Sequence, residues 1–220
     1  MARLEIHKAT IFFGKKNILT DVSLSCKTGE ILGVFGRNGC GKSTLLKLMF
    51  GTLKASSINM SIDSASIHPS EIIPKEKIAY LPQHSFLPEN LRVRDVIPIY
   101  YKSQKKQDSI FYDTQIAEIS AKRVGELSIG QLRYFQVILI GHLNHPFLLF
   151  DEPFSMIDPL YKIKIGNLLT QLKQDKGIII TDHYYMDVLN ISTKNLLIKE
   201  AKSYTISSEE DLRNMNYLNK

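Results

Sequence analysis

The chain has 220 residues, of which 44% are hydrophobic and 23% charged, so it can bury a substantial core as one large domain or two closely joined subdomains. Its longest apolar stretches, such as Phe147 to Phe150, are far shorter than the roughly 18 residues that span a bilayer, so a role at a membrane requires a partner protein. The formal net charge of +6 indicates a solvated surface rather than a polyanion-binding face. The first residues lack the apolar core of a secretion signal, and Cys26 and Cys40 are poorly placed for a disulfide framework, which predicts a cytoplasmic protein.

The first fifty residues predict strands followed by a loop and a helix. Apolar residues alternate with polar ones around Leu4 and Leu24, with turn signals after each segment, and this pattern predicts an antiparallel edge region. Ile31 to Phe35 is a short apolar run that enters a Gly-rich loop. Lys42 to Phe50 then has helical spacing, and Gly51 stops it.

The rest of the chain predicts a mostly parallel sheet. Buried strands are expected at Ile78 to Leu81, Phe147 to Phe150 and Gly177 to Ile180, with room for crossover helices between them. Residues 84–126 are polar and compatible with helix, which predicts a small helical subdomain inserted between residues 1–83 and 127–220. A capping pattern at residues 207–210 predicts a last helix that runs through Asn216. The fold class is therefore α/β.

A phosphate-binding loop stands between the third predicted strand and the first helix. Its glycines let backbone N–H groups surround phosphate oxygens, and the helix N-terminus adds positive charge there. Lys42 is expected to reach the β- and γ-phosphates, and the Ser43 hydroxyl to ligate Mg²⁺. Cys40 is interpreted as a small residue that the loop tolerates. The predicted nucleotide-binding residues in this segment are Gly36, Arg37, Asn38, Gly39, Cys40, Gly41, Lys42, Ser43 and Thr44.

Five further motifs follow in order along the chain, and together with the loop they resemble the ATP-binding cassette (ABC) family of P-loop NTPases. The resemblance covers essentially the whole chain, and it implies a RecA-like core and an ATPase that binds ATP and Mg²⁺. The motifs are Tyr80-Leu81-Pro82-Gln83 (Q-loop), Leu127-Ser128-Ile129-Gly130-Gln131 (signature), Leu148-Leu149-Phe150-Asp151-Glu152-Pro153 (Walker B), Ser155-Met156-Ile157-Asp158 (D-loop) and Thr181-Asp182-His183 (switch histidine).

The signature departs from the family pattern at one position. Ile129 stands where the family usually has glycine, and its Cβ is expected to crowd the dimer interface and slow turnover. By the resemblance, Ser128, Gly130 and Gln131 close over the γ-phosphate held by the other subunit. Ser128 is also expected to cap a helix that runs to Leu143, and the two roles are compatible.

The acidic pair after the Walker B strand is predicted to do the chemistry. Asp151 and Glu152 end an apolar strand at the carboxyl edge of the sheet, where open α/β folds bind ligands. Asp151 is expected to hold Mg²⁺, and Glu152 to act as general base toward the attacking water. His183 follows another buried strand, and the resemblance implies that it contacts the γ-phosphate.

Three other predicted site residues lie elsewhere in the chain. Phe13 resembles the adenine-stacking aromatic residue, with Phe12 as a competing candidate and an edge-strand core position as the alternative. Gln83 can ligate Mg²⁺ and, by the resemblance, is the hinge to the helical subdomain. Asp158 is predicted to cap a helix beginning at Pro159 and, by the resemblance, to touch the opposite subunit.

The Asp-Glu-Pro-Phe and Thr-Asp-His combinations resemble the branch containing the lipopolysaccharide-export ATPase and branched-chain amino-acid importers. This implies an ATPase on the inner face of the cell membrane, acting as a homodimer or with a second ABC subunit, bound to separate permease subunits and not to nucleic acid. Two alternatives remain. One is a non-transport ABC protein acting on nucleic acid or the ribosome, although the insertions typical of such proteins are not seen in the sequence. The other, suggested by Ile129, is a cassette that binds ATP without turnover.

Overall fold

The computed structural model describes residues 1–218, which form two β-sheets and surrounding helices. The strands of the described part are β1 (Arg3–Phe13), β2 (Lys16–Lys27), β3 (Ile31–Phe35), β4 (Ser57–Ile62), β5 (Ala65–Ser66), β6 (Ile78–Leu81), β7 (Phe147–Asp151), β8 (Gly177–Thr181), β9 (Lys194–Lys199) and β10 (Lys202–Ile206). The helices are α1 (Lys42–Phe50), α2 (Val93–Tyr100), α3 (Gln104–Phe111), α4 (Thr114–Ile119), α5 (Ile129–Gly141), α6 (Pro159–Leu172), α7 (Tyr185–Leu189) and α8 (Glu209–Asn214).

The larger sheet has six strands in the order β10-β9-β3-β8-β7-β6. All neighbours are parallel except β10, which pairs antiparallel with β9 at the edge. The carboxyl ends of β3, β8, β7 and β6 therefore meet at one edge of the sheet. This arrangement confirms the predicted α/β class with a mostly parallel sheet.

The smaller sheet is antiparallel, in the order β2-β1-β4-β5. The β1–β2 hairpin is the predicted antiparallel region, but the sequence analysis did not predict β4 and β5, which extend it. Alternate residues of β3 face opposite sides of the large sheet: Leu32 and Val34 pack in a core with α1 and the small sheet, while Ile31 and Phe35 pack in a second core with α5 and α6. Helices α5 and α6 thus cover one face of the large sheet, and α1 and the small sheet cover the other.

Two predicted helix ends are wrong by two residues. The helix that follows Ser128 ends at Gly141 instead of Leu143, and the last helix ends at Asn214 instead of Asn216. The cap of α8 pairs Ser208 with Asp211, one residue beyond the predicted 207–210 pattern. Within residues 84–126, where a helical subdomain is predicted, the structure has the short helices α2, α3 and α4.

Candidate active site

The phosphate loop joins the end of β3 to the start of α1. Gly41 precedes the helix with φ +108°, and a Cβ there would lie 2.8 Å from a Leu19 methyl group, so a larger residue would be both strained and crowded. Lys42 is 6% exposed, and its Nζ donates hydrogen bonds to the Gly36 oxygen at 2.6 Å and the Arg37 oxygen at 3.4 Å. The loop backbone therefore wraps around the ammonium group of Lys42.

Asp151 lies at the end of β7, directly beside the first turn of α1. Its Oδ1 accepts hydrogen bonds from Ser43 Oγ at 3.0 Å and Thr181 Oγ1 at 2.7 Å, and its Oδ2 accepts one from Tyr80 at 3.0 Å. The carboxylate is 1% exposed and receives all three bonds from neighbouring hydroxyls. Ser43 and Asp151, both predicted to hold Mg²⁺, are thus brought into contact.

Glu152 is held by its backbone and its side chain. Its φ is +56°, an uncommon conformation for a residue with a Cβ, and its N–H donates to the Thr181 oxygen at 2.8 Å. The carboxylate contacts His183 Nε2 at 2.7 Å and accepts hydrogen bonds from Gln83 Nε2 at 2.9 Å and Ser155 Oγ at 3.1 Å. Three of the predicted catalytic residues therefore meet at one carboxylate.

Most of the predicted residues line a single cleft of about 360 Å³. Phe13 lies on its wall and is 50% exposed, whereas Phe12, 47% exposed, does not line it. The exposure of Phe13 does not fit the edge-strand core alternative, and its position favours it over Phe12. The lining residues are Phe13, Ile18, Asn38, Gly39, Gly41, Lys42, Ser43, Thr44, Gln83, Glu152 and His183.

Three loop residues face away from this cleft. Arg37 and Cys40 line a separate cavity under the loop, where Arg37 donates to the Asn216 oxygen at 3.0 Å. A Cβ on Gly36 would lie 2.3 Å from Cys40 Sγ, so these two residues pack together. Burial raises the pKa of the Cys40 thiol, which fits its interpretation as a packing residue rather than a reactive one.

The signature residues lie at the start of α5, outside the phosphate-loop cleft of the same chain. Ser128 accepts from the Gln131 N–H at 3.2 Å, and Gln131 Oε1 accepts from the Ser128 N–H at 3.1 Å, which forms the predicted cap. A Cβ on Gly130 would lie 2.6 Å from the Tyr161 ring, so this glycine permits close packing of α5 against α6. Asp158 caps α6 by accepting from the Tyr161 N–H at 3.1 Å.

Several residues in the site were not singled out from the sequence. Tyr80, Ser155 and Thr181 stood inside the quoted motifs but received no role. Buried Asp182 accepts hydrogen bonds from the backbone N–H of Phe154 and of Tyr184, and burial raises its pKa. Arg133 is buried behind the acidic pair and had no sequence signal, because its partners are backbone oxygens from distant segments.

A strand, a glycine-rich loop and a helix in this order, at the carboxyl edge of a parallel sheet, define a P-loop NTPase. The family model described as ABC transporter matches residues 19–155, which is more than half of the chain. The chain therefore belongs to the ABC transporter ATP-binding family, whose members hydrolyse ATP.

Similar proteins agree with this assignment. A probable ABC transporter ATP-binding/permease protein of Haemophilus influenzae is 31% identical over 83% of this chain, which spans only 36% of that relative. The lipopolysaccharide export system ATP-binding protein LptB of the same organism is 26% identical over 92% of this chain and 89% of its own length. The ADP conformation of MJ1267, an ATP-binding cassette of an ABC transporter, has the same fold, with a TM-score of 0.82, 22% identity and coverage of 97% and 94% of the two chains. The predicted resemblance to the lipopolysaccharide-export type is confirmed by the LptB match.

Within residues 1–218, no helix is both long enough and apolar enough to cross a membrane.

Proposed function

We propose that the chain is the MgATP-hydrolysing subunit of an ABC transporter and that it drives transport through separate membrane subunits. The observation that carries the proposal is the Glu152 carboxylate, which lies in the phosphate-loop cleft and contacts both His183 and Gln83. A carboxylate placed there can accept a proton from a water molecule that attacks the γ-phosphorus. His183, whose Nε2 contacts Oε1 of the same carboxylate, would orient that water molecule.

The donor set next to the loop suits a magnesium ion. Ser43 Oγ and Asp151 Oδ1 lie 3.0 Å apart, and both are the hard oxygen ligands that Mg²⁺ prefers in nucleotide sites. Gln83 would add its amide oxygen while its amide nitrogen contacts Glu152. We propose that these three residues hold Mg²⁺, which would neutralise charge on the phosphates.

The active unit is proposed to be a dimer. In one chain, Ser128, Gly130 and Gln131 do not line the phosphate-loop cleft, so a second copy or a second ABC subunit would have to supply them. Ser128 and Ile129 are exposed at the start of α5 and are accessible to such a partner. Asp158 would lie in the same interface.

Membrane subunits are proposed as the other partners, with the chain peripheral on the inner face of the cell membrane. Two Haemophilus influenzae relatives are named as an ATP-binding/permease protein and as part of a lipopolysaccharide export system, which supports this proposal. Exposed apolar side chains in the helical region, including Ile99 and Tyr112, offer a surface for such a partner. Recovery of the chain with integral membrane proteins from native membranes supports this, whereas recovery with ribosomes or nucleic acid contradicts it.

Replacement of Glu152 by Gln tests the catalytic proposal. We expect kcat to fall by about 100-fold or more, because the general base is lost, while ATP binding remains and size-exclusion chromatography with ATP detects a trapped dimer. The matched control is Glu210→Gln, since Glu210 is an exposed carboxylate on α8. Unchanged hydrolysis in the Glu152 variant would remove this residue from the mechanism.

A further inference from the structure

A buried arginine connects the signature helix to the catalytic carboxylate of the same chain. Arg133 lies on α5, two residues after the signature, and is 7% exposed. Its Nη1 donates to the Pro82 oxygen at 2.9 Å, and its Nη2 donates to the Glu152 oxygen at 2.9 Å and to the Asp151 oxygen. One guanidinium therefore contacts the Q-loop and both Walker B residues.

The contacts of Arg133 differ from those of a structural ion pair. Within residues 1–218 it forms no salt bridge, and its remaining polar contact is the Gln136 amide oxygen at 3.4 Å. Burial lowers its pKa, and the nearby carboxylates of Asp182 and Asp151 oppose this effect. A neutral side chain could be buried here at a lower desolvation cost than arginine. The property of arginine that matters at this position is therefore its planar set of hydrogen-bond donors.

The backbone that Arg133 contacts is the one that places the catalytic carboxylate. Glu152 has φ +56°, and its peptide is fixed on one side by the Thr181 oxygen, which accepts the Glu152 N–H at 2.8 Å. Arg133 fixes the other side by donating to the Glu152 oxygen. Loss of either bond would let this strained backbone relax and would move the carboxylate.

We propose that Arg133 is a positioning residue that transmits movement of the signature segment, Ser128 to Gln131, to the general base Glu152 of its own subunit. The inference rests on the proposed function, because the signature would close on the nucleotide of the partner. α5 is a continuous helix from Ile129 to Gly141, so the signature and Arg133 move together. A shift of the signature segment would therefore shift Arg133 and, through its hydrogen bonds, the backbone of Asp151 and Glu152.

The test compares Arg133→Met, which keeps length and loses the donors, with Arg133→Lys, which keeps the charge and loses the fork. We expect kcat to fall by about 100-fold for Met, because a small displacement of a catalytic group has an effect of this size, and by less for Lys. KM for ATP stays within about threefold, since Arg133 does not line the phosphate-loop cleft. Arg3→Met, an exposed arginine on β1, is the control and retains full turnover.

A second measurement places Arg133→Met in the Glu152→Gln background. We expect this double variant to form the ATP-dependent dimer at the same ATP concentration as Glu152→Gln alone, because Arg133 acts on the base and not on nucleotide binding. Turnover of Arg133→Met equal to that of the unchanged protein, or loss of the dimer in the double variant, overturns the inference.

If the Met variant does not fold, Arg133→Lys decides: an unchanged kcat contradicts the inference, and a lowered kcat with unchanged KM supports it. If Glu152→Gln loses turnover while Arg133→Met keeps it, the proposed function stands and only the role of Arg133 is rejected.

Discussion

Ile129 is the residue at which this chain departs from its family's signature, and its environment shows what the departure changes. The side chain is 61% exposed at the first position of α5 and lines a cleft of about 570 Å³ together with Glu152, Met156 and His183. It contributes little to the core, since most of its surface remains in water. Its side chain is instead exposed at the start of α5, on the surface that is proposed to meet the partner subunit.

We expect Ile129→Gly to increase steady-state turnover, because it removes the crowding Cβ and the branched side chain from the proposed interface. The same change should lower the free energy of unfolding by at most about 1 kcal/mol, the cost of glycine in a helix. Steady-state ATPase assays and urea unfolding measure the two effects. Ile129→Ala is the control for helix stability, because it keeps a Cβ while removing the branched part. Turnover in the glycine variant at or below that of the unchanged protein would contradict the crowding interpretation.

At the scale of elements, the caps of α5 and α6 place two interface candidates at helix starts that pack against each other. Ser128 caps α5, Asp158 caps α6, and Tyr161 lies between them against Gly130. The two proposed dimer contacts therefore belong to one local structure. A change in either cap affects both the fold and the interface.

Variants of Asp158 separate these two roles. We expect Asp158→Ala to lower the free energy of unfolding by about 1 kcal/mol, because the Tyr161 N–H loses its acceptor, while Asp158→Asn retains most of the stability. If Asp158 also contacts the partner through its charge, both variants weaken the ATP-dependent dimer of the Glu152→Gln chain. Chemical denaturation and size-exclusion chromatography provide the two measurements. Equal stability of the Ala and Asn variants would show that the cap contributes little.

The elements that the sequence predicted are those with local signals. The phosphate loop and its flanking strand and helix depend on residues close together in the chain, and β6, β7 and β8 are short apolar runs between turn signals. β9 was missed because its apolar run, Leu196 to Ile198, contains two leucines, which favour helix as much as strand, whereas the run in β8 consists of three β-branched isoleucines. β4 alternates at Ile58, Met60 and Ile62, but its pairing with β1 links residues about fifty positions apart.

The same distinction applies to the site. Glu152, Lys42 and His183 were predicted because each belongs to a short motif. Arg133 was not, because its partners are the backbone oxygens of Pro82, which precedes it by 51 positions, and of Glu152, which follows by 19. Contacts to backbone leave no trace in residue type at the accepting position. Tertiary structure was needed to find it.

At the scale of the whole molecule, the thiol of Cys26 is buried in the core between the two sheets. Cys26 is fully buried on β2, and its Sγ lies 3.6 Å from the Ile178 oxygen of the large sheet. Burial, with a smaller contribution from Glu30, raises the pKa of the thiol from 9.0 to about 12. The folded chain therefore binds this proton more tightly than the unfolded chain.

This shift predicts how stability depends on alkaline pH. The contribution of the protonated Cys26 thiol to the free energy of unfolding is fully present below pH 9 and is lost as pH rises toward 12. The free energy of unfolding then falls by at most about 1.4 kcal/mol per pH unit. Urea unfolding at pH 8, 9 and 10 of a Cys40→Ala chain measures it, and the Cys26→Ala, Cys40→Ala chain is the control that lacks this titration. Parallel pH curves for the two chains would show that the thiol makes no difference.

The left-handed backbone of Glu152 has an evolutionary consequence. Glycine adopts φ +56° without strain, so exchange of this glutamate for glycine would relieve backbone strain of about 1 to 3 kcal/mol, while the side-chain contacts with His183, Gln83 and Ser155 would be lost. Selection for stability at this position is thus opposed to the proposed role of Glu152 in turnover. A cassette that served only as a nucleotide-dependent clamp would tolerate loss of this carboxylate, whereas one that uses Glu152 as the proposed general base would not.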